Sequence, residues 1–91
     1  MVVFEAVVVS PVGLHARPAA NFVKKVAASG LKVTVEPVVD GQPTGKADGK
    51  SILSVLALGI KSGTTVRVTI EGEDTAALEA ELKEILADPE G

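Results

Sequence analysis

Two different spacings of apolar residues occur along this 91-residue chain, and they constrain its fold more than any other feature. In segments 31–36 and 64–71 every second residue is apolar, which is typical of a β-strand with one buried face. In segment 16–29 the apolar residues lie three or four positions apart, which is typical of a helix with one buried stripe. The combination predicts a two-layer α+β domain, in which helices cover one face of a sheet and the other face meets solvent.

Valine-rich and turn-forming segments predict the other strands. Segment 2–9 is expected to be a first strand, followed by a turn at Ser10-Pro11-Val12-Gly13. Pro37 is expected to end the second strand or to lie at a sheet edge, because proline has no N–H for a sheet ladder. Segment 44–47 is expected to be a short third strand between two glycine-containing turns.

Cap residues predict two helices besides the one over 16–29. A short helix over 52–58 is expected to follow Ser51 as its N-cap, and Asp74 or Thr75 is expected to be the N-cap of a last helix. The predicted order is therefore strand–helix–strand–strand–helix–strand–helix. The buried stripe of the last helix is expected to consist of Leu78, Leu82, Ile85 and Leu86.

Composition excludes several classes of function. Ninety-one residues predict a single domain, and the absence of cysteine excludes disulfides, thiol nucleophiles and thiolate metal sites. With only one histidine, no metal site and no cofactor are expected. Phe4 and Phe22 are the only aromatic residues, too few for a base-stacking surface, so no nucleic-acid partner is expected. No signal peptide or membrane-inserted segment is visible, and a cytoplasmic protein is expected.

Charge is distributed unevenly along the chain. Residues 1–70 carry eight basic and four acidic side chains, a net +4, whereas residues 71–91 carry one basic and eight acidic side chains, a net −7. The acidic segment is expected to lie away from the basic part. A basic surface suits acidic protein partners or phosphate groups, and the alternative is a scattered set of solvated lysines.

The only histidine, His15, lies in the run Gly-Leu-His-Ala-Arg-Pro-Ala-Ala at 13–20. The start of a helix offers unpaired backbone N–H groups and the positive end of the helix dipole. Arg17 adds a guanidinium that stays charged. A neutral imidazole can act as nucleophile and later as leaving group, so this run suggests a phosphoryl acceptor. A polar surface histidine or a helix cap is the alternative.

This run closely resembles the active-site motif of the histidine-containing phosphocarrier (HPr) family of the bacterial phosphoenolpyruvate-dependent sugar phosphotransferase system. A second stretch, Lys50-Ser51-Ile52-Leu53 through Leu58-Gly59-Ile60, is also similar to that family. The resemblance covers essentially the whole chain and implies one HPr-like domain over residues 1–91. The implied fold is an α+β open-faced sandwich, with a four-stranded antiparallel sheet covered on one face by three helices.

The resemblance also implies a function. His15 would accept a phosphoryl group from phosphorylated enzyme I, through its Nδ1 atom, and pass it to the enzyme IIA domains of sugar permeases. Arg17 would compensate the phosphate charge, and the backbone of Ala16 and Arg17 would bind the phosphate. The protein would be a covalent carrier without catalytic turnover of its own, serving sugar transport, and a monomer is expected because one face meets successive partners.

Residues around the short helix carry the other implied roles. Ser51 is expected to be a helix N-cap, and in many family members the similar position is phosphorylated by an ATP-dependent kinase (HPr kinase/phosphorylase) as a carbon-catabolite signal. Helix 52–58 is apolar on nearly all sides, so it is either a contact surface or deeply buried. By resemblance, the partner-binding residues are Leu53 and Leu56, with Lys24, Lys25 and Lys50 as a basic rim. A solvated helix surface is the alternative for Lys24 and Lys25.

Three departures from the family pattern accompany the resemblance. Segment 36–49 is longer than the usual turn, Ser54 replaces a common glycine, and leucines replace methionines on the contact surface. Three other functions remain as alternatives. They are a regulatory module that acts through Ser51, a generic interaction domain with nucleic acid as one candidate ligand, and a carrier for a nitrogen-regulatory or other non-sugar branch. The last of these shares all the chemistry.

Overall fold

Five strands and three helices follow one another along the part of the chain described by the computed structural model, which is residues 1–11, 13–14 and 16–88. The strands and helices, in chain order, are β1 Val2–Val7, α1 Ala16–Ser29, β2 Lys32–Val39, β3 Gln42–Pro43, β4 Ala47–Asp48, α2 Ile52–Ala57, β5 Thr65–Glu71 and α3 Ala76–Ala87. Each predicted helix is present, and α1 has the predicted bounds of 16–29.

The strands form one antiparallel sheet in the order β1-β5-β2-β3, and β4 pairs with β2 as well. Val68 of β5 lies between Phe4 of β1 and Val35 of β2, and all three are buried under the helices. The adjacent pair across the same two strands, Glu5 and Arg67, lies on the opposite face. There Arg67 donates through Nε and Nη2 to Oε2 of Glu5, at 3.1 and 3.0 Å. The alternation in the sequence thus correctly predicts one buried and one open sheet face.

The predicted third strand at 44–47 is wrong, because two two-residue strands take its place and the sheet has five strands instead of four. Pro37 does not end β2, which continues to Val39. The Pro37 carbonyl accepts from the Thr44 N–H at 2.8 Å. The side of Pro37 that lacks an N–H therefore faces the β3 side of β2. Three residues, 44–46, therefore face only two, 36 and 37, which is the geometry of a β-bulge.

The core lies between the helices and the inner face of the sheet. Its largest fully buried side chains include Phe22 of α1 and Leu82 and Leu86 of α3. The predicted stripe of α3 is confirmed at Leu78, Leu82 and Leu86, whereas Ile85 is only partly buried. The fold class is α+β with three helices on one face of an open antiparallel sheet, as expected. Among the described residues, no helix combines the length and the apolar character that crossing a bilayer requires.

The acidic segment lies beside α1, contrary to the expectation that it would lie elsewhere. Lys25 Nζ is 3.0 Å from Glu81 Oε2, and the same inter-helix groove is lined by Asn21, Glu84 and Asp88. Toward the other end of α1, Ala28 and Ser29 lie near Ala77 and Leu78. The two helices are therefore antiparallel, and the C-terminal end of α3 lies near the first half of α1.

Candidate functional site

The start of α1 is the centre of the candidate site. His15 lies outside the described residues, but the chain on both sides of it is described, and α1 begins at the next residue, Ala16. Arg17 is exposed in the first turn. The N–H groups of Ala16 and Arg17 have no carbonyl partner within the helix, because no helical residue precedes them by four positions. An exposed guanidinium and two helix-terminal amides thus follow His15 directly in the chain.

The loop before α1 is held against the segment that follows α2. Leu14 is buried, and its N–H donates to the carbonyl oxygen of Ile60 at 3.0 Å. Gly13 has a φ of +75°, and a Cβ built on it would lie 2.5 Å from the Ile60 oxygen and 2.8 Å from Lys61 Cα. Only glycine fits there. No pattern near His15 indicates that residues 60 and 61 support this loop.

Further backbone hydrogen bonds hold the first part of the same loop. The Val8 N–H donates to Thr64 O at 2.9 Å, and the Gly63 N–H donates to Val8 O at 2.8 Å. The Val9 N–H donates to Leu86 O at 3.3 Å, which ties the loop to the end of α3. Elements that are distant in sequence therefore fix the approach to α1 from two sides.

Ser51 caps α2 as predicted. Its φ and ψ of −111° and 109° are extended, and its Oγ accepts from the Ser54 N–H at 3.3 Å. Asp48 supports the same turn, because its carbonyl accepts from Ser51 N–H at 3.1 Å and its Oδ1 accepts from Lys50 N–H at 3.0 Å. The cap is confirmed, while phosphorylation of this hydroxyl stays a prediction.

The alternative of a deeply buried α2 is wrong. Leu53 is 79% exposed and Leu56 is 36% exposed, whereas Val55 on the same helix is 1% exposed. A single residue, Val55, is therefore the buried anchor of the helix. The two leucines form an apolar surface of the kind that usually marks a contact site.

The three predicted rim lysines have different surroundings. Lys24 and Lys50 are exposed, and Lys50 lines a groove together with Ala27 and Gly30 at the end of α1. Lys25 is about half exposed in its ion pair with Glu81. Its charge is thus partly balanced within the chain. Within residues 1–11, 13–14 and 16–88, no group of three or more His, Cys, Asp or Glu side chains could hold a metal ion.

Comparison with known proteins agrees with this arrangement. Residues 2–88 match the family described as "PTS HPr component phosphorylation site". The chain belongs to the HPr family. Its match to the phosphocarrier protein HPr of Borreliella burgdorferi is 36% identical over 86 residues, 94% of each chain. A multiphosphoryl transfer protein of Salmonella typhimurium is 44% identical over 71 residues, 77% of this chain but 18% of that longer protein.

A solved HPr structure has a fold similar to that of this chain. The crystal structure of the phosphocarrier protein HPr from Bacillus anthracis has a TM-score of 0.79, with 29% sequence identity over 93% of this chain and 95% of that one. The predicted family and fold class are therefore confirmed, and with them a phosphocarrier of the phosphotransferase system. The roles predicted for individual residues stay predictions.

One residue of the loop before α1 is buried although the sequence predicts an exposed turn there. Ser10 lies in a run that predicts an exposed turn, yet it is only 3% exposed. A serine beside a proline is a common turn signal, and burial of its hydroxyl follows from the packing of distant segments. No signal in the sequence indicates it.

Proposed function

We propose that this protein carries phosphoryl groups on His15, accepting them from phosphorylated enzyme I and passing them to enzyme IIA domains of sugar permeases. The observation that carries the proposal is the family match over residues 2–88, which includes the Gly-Leu-His-Ala-Arg-Pro run at the start of α1. The exchange is expected in the cytoplasm, and this protein is expected to be a monomer, as the family resemblance implies.

The transfer itself needs only a ring nitrogen. The lone pair of a neutral imidazole nitrogen of His15 attacks the phosphorus, and the bond between phosphorus and the donor group breaks. The ring gives up one proton and the leaving group takes one up, so the exchange is balanced without a cofactor. The reverse step, to an acceptor, regenerates the neutral ring. The protein is thus a carrier that alternates between two forms, without turnover of its own.

Two groups that follow His15 in the chain suit a phosphoryl group. Arg17 offers a permanently charged donor fork, and the amides of Ala16 and Arg17 lie at the positive end of the α1 dipole. A charge at a helix end is worth about 0.3–2 kcal/mol. A contribution of that size tunes the transfer equilibrium while leaving the phosphoryl group free to move on.

The partner-binding surface would be the exposed part of α2 with nearby lysines. Leu53 and Leu56 supply apolar area, and Lys24 and Lys50 supply exposed positive charge. Lys25 belongs to the same predicted rim, although it shares its charge with Glu81. Apolar anchors with a charged rim are typical of transient interfaces, where rim charges mainly raise the association rate.

Ser51 is the proposed regulatory position. Phosphorylation by an ATP-dependent kinase would add about −1.5 to −2 of charge at the start of α2, where the helix dipole tolerates it. Two residues farther on lies the exposed Leu53. The added charge would repel acidic partners from this surface, which is the physical basis for a carbon-catabolite signal.

The carrier function can be tested directly. The protein is incubated with enzyme I, magnesium and phosphoenolpyruvate, and its mass is measured before and after acid treatment. We expect a gain of one phosphate that acid removes, and no gain for His15→Ala. Equal labelling of the His15→Ala variant would contradict the proposal, provided that circular dichroism shows the variant to be folded.

The regulatory proposal needs a separate experiment. Incubation with HPr kinase/phosphorylase and ATP should add a phosphate that survives acid treatment, and Ser51→Ala should not acquire it. Ser54→Ala is the matched control. Ser54 lies on the same helix, and this variant should still be labelled because it keeps Ser51. Labelling of Ser51→Ala to the wild-type extent would rule out Ser51 as the site.

A further inference from the structure

The two adjacent lysines of α1 lie on different sides of the helix. An α-helix turns by about 100° per residue, so residues seven positions apart share a face and neighbours do not. Lys24 therefore lies on the face of Arg17, and both residues are exposed. Lys25 lies on the face of Asn21, and these two residues line the groove between α1 and α3. One lysine is thus aligned with Arg17, and the other faces α3.

The surroundings of Lys25 are acidic. Its ion-pair partner is Glu81 of α3, with 3.0 Å between Lys25 Nζ and Glu81 Oε2. Lys25 and Glu81 line two adjoining grooves, and further carboxylates line both. One positive charge thus lies among several negative ones, so this side of α1 is negative on balance. The acidic residues that line the two grooves with Lys25 are Glu73, Asp74, Glu81, Glu84 and Asp88.

A carboxylate of a partner protein would meet the two lysines differently. Within the described part of the chain Lys24 makes no ion pair, so its charge is not shared. At Lys25 the same carboxylate must displace Glu81 and approach several like charges. Like charges brought together across an interface oppose binding, and such repulsion is one source of specificity. An acidic partner therefore binds more favourably at Lys24 than at Lys25.

We propose that Glu81 is a specificity-determining residue for partner binding: by holding Lys25 it removes that lysine from the basic rim, so that enzyme I places its acidic side chains on the face of Arg17 and Lys24. This inference rests on the proposed function. Both side chains of the Lys25–Glu81 pair are about half exposed, so water screens the pair and its effect is modest. Glu81 thus adjusts affinity and orientation without preventing binding.

The test measures binding of enzyme I by calorimetry at low ionic strength, where surface charges are least screened. Wild type is compared with Glu81→Gln and with a control, Glu79→Gln, and each variant removes one negative charge from α3. Glu79 pairs with Lys83 on its own helix, at 2.6 Å between Oε2 and Nζ. Its loss therefore releases a lysine that lies over the Phe4 ring of β1.

We expect Glu81→Gln to bind enzyme I about 1.5- to 5-fold more tightly than Glu79→Gln does, the range that an exposed ion pair provides. The double variant Lys25→Gln/Glu81→Gln should lose that gain, because it releases no lysine. In the otherwise unchanged chain, Lys24→Gln should weaken binding more than Lys25→Gln, although each removes one positive charge from α1.

A second measurement does not depend on enzyme I. Limited acetylation with acetic anhydride, followed by peptide mass mapping, reports how readily each lysine amine reacts. Lys25 should react more slowly than Lys24 in wild type, because Glu81 holds its ammonium group, and the difference should shrink in Glu81→Gln. If enzyme I binds no variant, the proposed function fails, while a retained acetylation difference still shows that Glu81 holds Lys25.

Three results would overturn the inference. The first is equal tightening of enzyme I binding by Glu81→Gln and Glu79→Gln. The second is a loss of affinity in Lys25→Gln that is as large as the loss in Lys24→Gln. The third is equal acetylation of Lys24 and Lys25 in wild type, which would show that Glu81 does not hold Lys25 in solution.

Discussion

Gly13 and Ile60 are in backbone contact, although they are far apart in the sequence. A Cβ on Gly13 would lie 2.5 Å from the carbonyl oxygen of Ile60, which also accepts the Leu14 N–H. This contact links the loop before α1 to the segment after α2. The loop that leads to His15 and the predicted partner surface on α2 therefore share one support.

Replacing Gly13 by alanine should destabilise the fold strongly. The positive φ costs a non-glycine residue about 1–2 kcal/mol, and the clash with residues 60 and 61 adds to it. We expect a loss of about 3 kcal/mol or more in the free energy of unfolding, measured in urea.

Gly63→Ala is the matched control for that variant. Gly63 has a similar φ, +84° against +75°, but a Cβ on it would meet nothing within 4 Å. It should show the cost of the positive φ alone. Equal losses at the two positions would mean that the contact with residues 60 and 61 contributes nothing.

Arg17→Ala should slow phosphoryl transfer and leave stability nearly unchanged. Arg17 is exposed, so little packing is lost, and surface substitutions usually change stability by less than about 0.5 kcal/mol. We expect transfer from phosphorylated enzyme I to slow by about tenfold or more, because a charge-assisted hydrogen bond to the phosphate is removed. Rapid-quench measurement of phosphorylated protein gives the rate.

Arg67→Ala serves as the control for Arg17→Ala. Arg67 lies on the open face of the sheet and bonds Glu5, away from α1. It should leave the transfer rate at the wild-type value. A wild-type rate for Arg17→Ala as well would remove Arg17 from the site.

Leu53 and Val55 should separate partner binding from folding. Leu53→Ala removes an exposed side chain, so the free energy of unfolding should change little, while affinity for enzyme I, measured by calorimetry, should fall. Val55→Ala should instead cost about 1–3 kcal/mol of stability, because Val55 is fully buried. Unchanged affinity for Leu53→Ala would exclude this surface from the interface.

Local patterns predicted the helices well and the third strand badly, for a physical reason. The bounds of α1 follow from its apolar stripe, from Pro18 in the first turn and from Gly30 after the last. The break between β3 and β4 depends instead on which side of β2 the Pro37 carbonyl faces, and that is set by pairing with β5. Strand pairing is a non-local property that spacing within one segment does not report.

Features in and around the candidate site also fall into those that local motifs predict and those that depend on contacts between distant segments. His15, Arg17 and Ser51 are visible in the sequence, because their motifs are local and helix caps have recognisable residues. The burial of Ser10 and the support from Ile60 arise where distant segments meet. The same holds for the acidic helix α3, whose buried leucines share one core with α1.

Ser51→Ala should remove the cap of α2 and cost about 0.5–2 kcal/mol in the free energy of unfolding. The hydroxyl satisfies the Ser54 N–H, which would otherwise lack a partner within the helix. Ser51→Asn should restore most of the loss, since its side-chain oxygen caps a helix equally well without adding charge. Denaturant titration of the three proteins distinguishes the cases: if Ser51→Asn is as unstable as Ser51→Ala, capping by the side chain is not what Ser51 contributes to stability.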